Sequence, residues 1–200
     1  MKQSTKYNAA LIAVSALFAA LIVGGKEALA GLPNVEVVTL LIALCAYVWG
    51  AIVVFPAVNV FIAVDMAIWG VNTWIISYFI HWNTVALAFW LLGKLKYKHK
   101  AVEVTIATIT AAALTTMFGV VTSAVDTLVG YTGKGFFVDT DNFFNRFAVM
   151  YVAGGSFYVT QIVCNIVLFA TAFLPLVVIN RKAKLRILPN EEQTVGQTTE

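Results

Sequence analysis

Long uncharged apolar stretches, separated by short polar segments, dominate the pattern of this chain. We place six of them at residues 8–25, 35–50, 52–80, 82–97, 104–125 and 147–180. A helix needs roughly 17–25 mainly apolar residues to cross about 30 Å of hydrocarbon. In lipid the backbone polar groups must be satisfied within the chain, which favours helices. The pattern therefore predicts an all-α membrane protein, a bundle of six transmembrane helices.

The boundary between the third and fourth stretches has two candidate turns. One lies at Gly70-Val-Asn-Thr73 and the other at His81-Trp-Asn83. We favour the second, which extends the third span to residue 80. On this interpretation residues 1–186 form a single membrane domain, and residues 187–200 form a flexible cytoplasmic tail.

Composition supports the membrane assignment. The 200 residues are 60% hydrophobic and 12% charged, and the mean hydropathy is +0.86. A soluble domain of this size has too little interior to hide so much apolar surface. The net charge of +3 is modest, so we relate it to membrane orientation and not to nucleic-acid binding. Cys45 and Cys164 lie in apolar stretches, where they act as small hydrophobes and form no disulfide or metal framework.

The basic residues indicate an orientation. With six spans and the N-terminus inside, three basic residues lie outside, namely Lys26, Lys134 and Arg146. The other ten lie inside: Lys2, Lys6, Lys94, Lys96, Lys98, Lys100, Arg181, Lys182, Lys184 and Arg186. Cytoplasmic loops carry the excess of lysine and arginine. An even number of spans, with both termini cytoplasmic, therefore fits best.

The first span also has features of a secretory signal. Two lysines precede an apolar stretch, and Ala28-Leu-Ala30 resembles a small-residue cleavage site. Lys26 and Glu27 interrupt that arrangement, and cleavage would leave five spans and break the charge pattern. We favour a first span that is retained.

Polar residues at the start of the second span have two interpretations. Pro33 fixes a turn, Asn34 is suited to cap the following helix, and Glu36 in its first turn is favoured by the helix dipole. Asn34 and Glu36 would equally serve as the polar lining at the outer mouth of a cavity.

Asp65 is an acid inside an apolar stretch. A carboxylate at membrane depth is costly and usually faces a cavity, a partner or water, although a position near the outer interface would also accommodate it. A group of aromatic and imidazole side chains follows it in the chain: Trp69, Trp74, Tyr78, His81 and Trp82. Such a group forms either an interfacial belt or a wall on which a flat ligand ring stacks.

Two helix faces carry further candidates. Tyr158, Gln161 and Asn165 share one face of the sixth span, which points inward either for interhelical bonding or to bind a polar solute. Ala16 and Ala20, four residues apart in the first span, allow another helix to approach closely. That helix belongs either to this bundle or to a partner.

Motifs for catalysis are missing. The chain has no phosphate loop, no nucleophile elbow, no HExxH and no paired carboxylates on one span. His99 is the only histidine besides His81. We therefore predict that the protein is not an enzyme, holds no cofactor or metal and does not hydrolyse ATP itself.

The order of these features resembles the substrate-binding S component of an energy-coupling factor (ECF) vitamin transporter. The resemblance covers nearly the whole chain. It rests on the length, the six spans, Ala16-x-x-x-Ala20, Leu-Pro-Asn-Val-Glu36, Trp74-x-x-x-Tyr78-x-x-x-Trp82 and the segment from Gly154 to Asn165. Tyr158 and Gln161 stand where several members of that family carry an acid and a histidine, so the substrate stays open.

The resemblance implies a subunit of an ABC-type importer in a prokaryotic plasma membrane. Such a subunit binds a micronutrient near its outer face and associates with a transmembrane coupling subunit and two cytoplasmic ATPases. Ala16 and Ala20 would pack on the coupling subunit, and ATP would be used by the partners alone. Cobalamin is the first expected substrate, followed by pantothenate or a pyridoxine-like compound. The alternative is a stand-alone secondary transporter that couples solute movement to protons or ions through Asp65.

Overall fold

The computed structural model describes residues 2–129 and 143–188, with side chains from residue 6 onward. These residues form eight α-helices and no strand. The helices are α1 (Lys2–Ala28), α2 (Val38–Trp49), α3 (Ala51–Trp69), α4 (Thr73–Gly93), α5 (Lys100–Val129), α6 (Phe143–Ala153), α7 (Gly155–Leu168) and α8 (Leu174–Ile187). A π-helical turn, Phe169–Phe173, joins α7 to α8. Most of the predicted tail lies outside the described residues.

Within the described residues, five segments are long and apolar enough to cross a membrane. They are Lys6–Ala28, Ala51–Trp69, Thr73–Gly93, Lys100–Val129 and Gly155–Ile187, and the apolar helix Val38–Trp49 is shorter. By length and composition, this all-helical chain is a multi-pass membrane protein.

The turn between α3 and α4 lies at residues 70–72, so our prediction of a turn at His81-Trp-Asn83 was wrong. Gly70 has a φ of 82°, in the left-handed region that glycine adopts without a Cβ penalty, and it ends α3. Asn72 is extended, and α4 begins at the next residue. His81 and Trp82 consequently lie inside α4, and the predicted spans 52–80 and 82–97 become 51–69 and 73–93.

The last apolar stretch is also divided, although the sequence analysis treated 147–180 as one span. Gly154 separates α6 from α7, and the π-helical turn comes just before Pro175 in the first turn of α8. Proline lacks the N–H that a regular helix would use, so a local change of helical pitch at this point is expected.

The core is built around α2. Of its residues only Leu41 is not buried, and an apolar helix of this kind belongs at the centre of a bundle. The rings of Phe89, Phe169 and Phe173 cluster beside it, and Tyr47 meets Phe173 edge to face at 5.3 Å. The short α2 is thus enclosed by the longer helices.

The two ends of the bundle differ in charge. At one end, which we call the basic end, Tyr47 Oη donates to Glu103 at 2.6 Å and Arg181 Nη2 lies 3.5 Å from the same carboxylate. These contacts join the end of α2 to the start of α5 and the middle of α8. The lysine-rich segment 94–100 lies between α4 and α5 at this end.

Close packing of α4 on α2 supplies a stability prediction. A Cβ at Gly93 would lie 2.6 Å from the Tyr47 carbonyl oxygen, which is backbone and has little freedom to move. We expect Gly93→Ala to lower the free energy of unfolding by about 1–3 kcal/mol, the usual cost of overpacking. Thermal unfolding of the purified protein in detergent measures the change.

Gly24→Ala is the matched control. A Cβ at Gly24, also within a helix, meets nothing within 4 Å. It should leave stability unchanged or raise it by roughly 0.4–1 kcal/mol. Equal destabilisation by both substitutions would contradict the α2–α4 packing.

Candidate functional site

A cavity of about 250 Å³ lies at the end of the bundle opposite the basic end. Five of the predicted site residues line it, and they come from the α1–α2 connection, α4 and α7: Asn34, Glu36, Tyr78, Trp82 and Gln161. The other lining residues are Lys26, Leu29, Ala30, Leu32, Pro33, Val35, Val38 and Phe118. The cavity therefore combines aromatic walls with a few charged and amide groups.

Glu36 is held by donors from α2 and α7. Its carboxylate accepts the Thr39 N–H at 2.9 Å and the Thr39 hydroxyl at 2.5 Å. Asn165 Nδ2 donates to it at 2.7 Å, and Gln161 Nε2 lies at 3.5 Å. All these donors are neutral, and within the described ranges Glu36 forms no ion pair. Its negative charge is thus stabilised by hydrogen bonds alone.

Glu36, and not Asn34, satisfies a free amide in the first turn of α2, so the predicted cap at Asn34 was wrong. The helix begins at Val38, two residues beyond Glu36, and the carboxylate reaches forward to the N–H of Thr39. Asn34 has a φ of 57°, a left-handed conformation that asparagine tolerates better than most residues. This conformation turns the connection back toward α2, and Asn34 lines the cavity.

A buried ion pair forms one side of the site. Lys26 Nζ at the end of α1 bonds to Asp65 Oδ1 of α3 and lies 3.9 Å from Glu27. The Asp65 side chain is 1% exposed. The Lys26 ammonium also lies 5.1 Å from the ring centroid of Trp74 and 5.8 Å from that of Tyr78, distances typical of cation–π contacts. Lys26 therefore neutralises Asp65 and anchors the aromatic rings.

Aromatic side chains form the wall on the α4 side. Trp74, Tyr78 and Trp82 recur every four residues and so lie on one helix face. Neighbouring rings meet edge to face at 5.1 and 5.6 Å. Phe118 of α5 stacks on Trp82 with ring centroids 5.9 Å apart. The rings hold one another in place, and three of them, Tyr78, Trp82 and Phe118, line the cavity.

Two polar atoms of the cavity lining have no protein partner. They are the indole Nε1 of Trp82, a donor, and Oε1 of Gln161, an acceptor. Both side chains are almost completely buried, at 3% and 4% exposure. Both atoms are themselves buried, so neither is open to the cavity, and leaving such a group unsatisfied costs about 1–3 kcal/mol.

The remaining predicted site residues lie outside the cavity lining. Asp65 and Trp74 contact Lys26, which does line the cavity. Trp69 is half exposed and donates to Glu27 at 3.0 Å. His81 packs on Trp82 and Phe118. Asn165 bonds to Glu36 and, at 3.0 Å, to Thr115 of α5. Tyr158 lies against Gly119, with its hydroxyl 3.2 Å from that of Ser123. These residues surround the cavity and position its lining.

Ala16 and Ala20 lie on the outer surface of α1. Both are exposed, as are Ala13 and Gly24 on the same helix, whereas the adjacent Ala19 is 3% exposed and faces the core. Ala16 also lines an apolar groove between α1 and α3. Their spacing allowed two roles, contact within this bundle or contact with a partner helix. Because Ala16 and Ala20 are exposed, contact within the bundle does not account for them.

Sequence reasoning missed Lys26 and Phe118 as site residues. The sequence analysis counted Lys26 only as one of the outside charges. Asp65, an acid in an apolar stretch, needs a cation nearby, and Lys26 at the end of the first span could have been considered as that cation. Phe118 had no signal, because a single phenylalanine in an apolar helix does not reveal which face it occupies.

No group of three or more His, Cys, Asp or Glu side chains in the part of the chain that the structure describes could hold a metal ion. Comparison of the chain with models of protein families, with curated proteins and with solved structures finds no match. Function is therefore inferred from the cavity and its lining.

The ion pair between Lys26 and Asp65 can be tested by a double-mutant cycle. Lys26→Met leaves the Asp65 carboxylate buried without its cation, and breaking a buried pair in this way costs about 3–5 kcal/mol. Adding Asp65→Asn should recover much of the loss. Unfolding of the three variants in detergent gives the coupling energy, and additive effects of the two substitutions would contradict the pair.

Arg181→Met is the control for that cycle. Arg181 contacts Glu103, but its side chain is 53% exposed. Pairs of this kind contribute less than about 1 kcal/mol, so this variant should be close to wild type in stability.

Proposed function

We propose that this chain is the substrate-binding S component of an ECF-type importer for a vitamin or related micronutrient. In this proposal it has six spans, resides in a prokaryotic plasma membrane and binds substrate without catalysis or cofactor. A transmembrane coupling subunit and two cytoplasmic ATPases supply the energy. The observation that carries the proposal is the cavity at one end of an apolar helical bundle, lined by aromatic rings together with charged and amide side chains.

The sixth crossing in this proposal is α2. Its 12 residues rise about 18 Å, less than the hydrocarbon thickness. Because nearly all of α2 is enclosed by other helices, its ends and the polar connection before it need not contact lipid. A short enclosed helix whose first residue lines a cavity is compatible with a binding protein.

Charge at the two ends supports an outward-facing cavity. The clusters at residues 94–100 and 181–186 lie at the basic end, and lysine and arginine accumulate on the cytoplasmic side of membranes. With the basic end inside, the cavity at the other end faces outward, and α1 starts inside. Both termini are then cytoplasmic.

The size of the cavity favours the smaller of the candidate substrates. Ligand pockets usually measure roughly 300–1,000 Å³, and this cavity, at about 250 Å³, is slightly smaller than that range. A single ring with short polar substituents fits such a space, whereas cobalamin, with its corrin and nucleotide groups, does not. We therefore favour a pyridoxine-like or pantothenate-sized solute over cobalamin, our first expectation.

The alternative, a secondary transporter that uses Asp65, has one observation in its favour. Oδ2 of this buried carboxylate has no hydrogen-bond partner, as would suit a group that exchanges a proton or an ion. Against it, Oδ1 is occupied by Lys26, which already neutralises the charge.

Uptake energetics and co-purification separate these two functions. We expect gentle purification from native membranes to recover ATPase subunits, and uptake of the retained solute to depend on ATP. If no ATPase is recovered and uptake collapses with the proton gradient instead, the secondary transporter is correct. The small molecule retained by the purified protein is identified by mass spectrometry.

The exposed alanines supply a sharper prediction. Ala20→Leu adds bulk on the outer surface of α1, so it should leave stability and solute binding intact while it abolishes assembly with the coupling subunit and uptake. The measurements are co-purification, uptake and binding by tryptophan fluorescence. Normal uptake by a well-folded Ala20→Leu protein would exclude this face as the partner surface.

Ala19→Leu is the control on the neighbouring residue. Ala19 faces the core at 3% exposure, so its enlargement should destabilise the bundle by about 1–3 kcal/mol and reduce binding as well. The contrast between adjacent positions distinguishes loss of a partner contact from loss of the fold.

A further inference from the structure

The charges around the cavity do not balance. Lys26 is the only cation in its described lining, and it is already bonded to Asp65 and close to Glu27. Glu36 has no cationic partner in the ranges that the structure covers. Because the one ammonium of the lining is already paired with Asp65, the Glu36 carboxylate has no counter-charge among the described lining residues, and the empty cavity carries excess negative charge.

Neutral donors surround Glu36 without supplying an opposite charge. The Thr39 N–H, the Thr39 hydroxyl and Asn165 Nδ2 all donate to its carboxylate. Its field therefore extends into the cavity, where burial reduces screening by water and salt. A positively charged solute would be attracted, whereas a carboxylate would be repelled.

The remaining lining suits the same kind of solute. The faces of Tyr78, Trp82 and Phe118 carry the negative part of the ring quadrupole, which attracts cations and stacks on flat rings. Asn34 and Gln161 add amide groups to the same lining, which suit a polar substituent on the ring.

We infer that the cavity binds a small ring-bearing cation, such as a protonated amine or a pyridinium, that also carries at least one hydrogen-bond acceptor. Glu36 provides the charge recognition, and the aromatic wall of α4 and α5 holds the ring. This inference deepens the proposed function and rests on it, because it names the chemical class of the imported solute. It excludes pantothenate, which is an anion.

The experiment compares three compounds with the same ring and different charge: pyridoxamine, pyridoxine and 4-pyridoxate, respectively cationic, neutral and anionic near pH 7. Binding to the full-length protein in lipid nanodiscs is followed by tryptophan fluorescence. We expect the cation to bind at least about tenfold more tightly than the anion, with the neutral compound between them.

Glu36→Gln keeps the size and most hydrogen bonds of the side chain but removes its charge, so the preference for the cation should disappear. Glu103→Gln is the matched control, because it removes a buried carboxylate at the basic end, and it should keep the wild-type ranking. Should Glu36→Gln fail to fold, the ranking measured on the wild-type protein still decides.

The outcomes separate the inference from the proposed function. Tighter binding of 4-pyridoxate or pyridoxine than of pyridoxamine overturns the cation assignment. Failure of all three to bind overturns it too, unless the solute retained by the gently purified protein is a cation. ATP-dependent uptake of a neutral or anionic solute would overturn the inference and leave the proposed function standing. Absence of any ATPase partner would overturn the proposed function itself.

Discussion

A carboxylate inside a lipid-surrounded bundle requires hydrogen-bond donors, and the way this chain supplies them to Glu36 links its helices. The connection before α2 brings Glu36 to the point where α2 begins, and Asn165 of α7 reaches it from the other side at 2.7 Å. Asn165 also bonds to Thr115 of α5. One charged group thereby ties three helices that are far apart in sequence. Because α2 is short and buried, this connection determines where its polar start lies within the bundle.

Asp65, the second buried carboxylate, is compensated in a different way. Asp65 is neutralised by Lys26, and the ammonium lies close to the rings of Trp74 and Tyr78 as well. The pair joins the ends of α1 and α3, which run parallel. One acid is thus compensated by a cation and the other by neutral donors only. The difference leaves the cavity with negative charge, the basis for our inference about its solute.

Much of the fold was predictable because apolar length is a local property. Five of the six predicted spans correspond to helices long enough to cross a membrane. The remaining one, the second span at 35–50, corresponds to the short buried helix α2. The turn at residues 70–72 was one of two candidates but not the one favoured, because Trp69, Trp74 and their neighbours keep the stretch apolar on both sides of Gly70. Hydropathy alone predicts a continuous helix through this point, but Gly70, with its positive φ, ends α3. Predicted site residues divided in the same way: Tyr78, Trp82 and Gln161 line the cavity, but Asp65 and Asn165 support the lining instead.

The sequence by itself determined that this chain is helical and belongs in a membrane, since both conclusions follow from the number of consecutive apolar residues. It also marked the residues that are costly to bury. Only the tertiary structure decided which of them meet. Lys26 and Asp65 are 39 positions apart, and Glu36 and Asn165 are 129 apart. Partner choice over such separations depends on helix packing and rotation, which hydropathy along a chain does not encode.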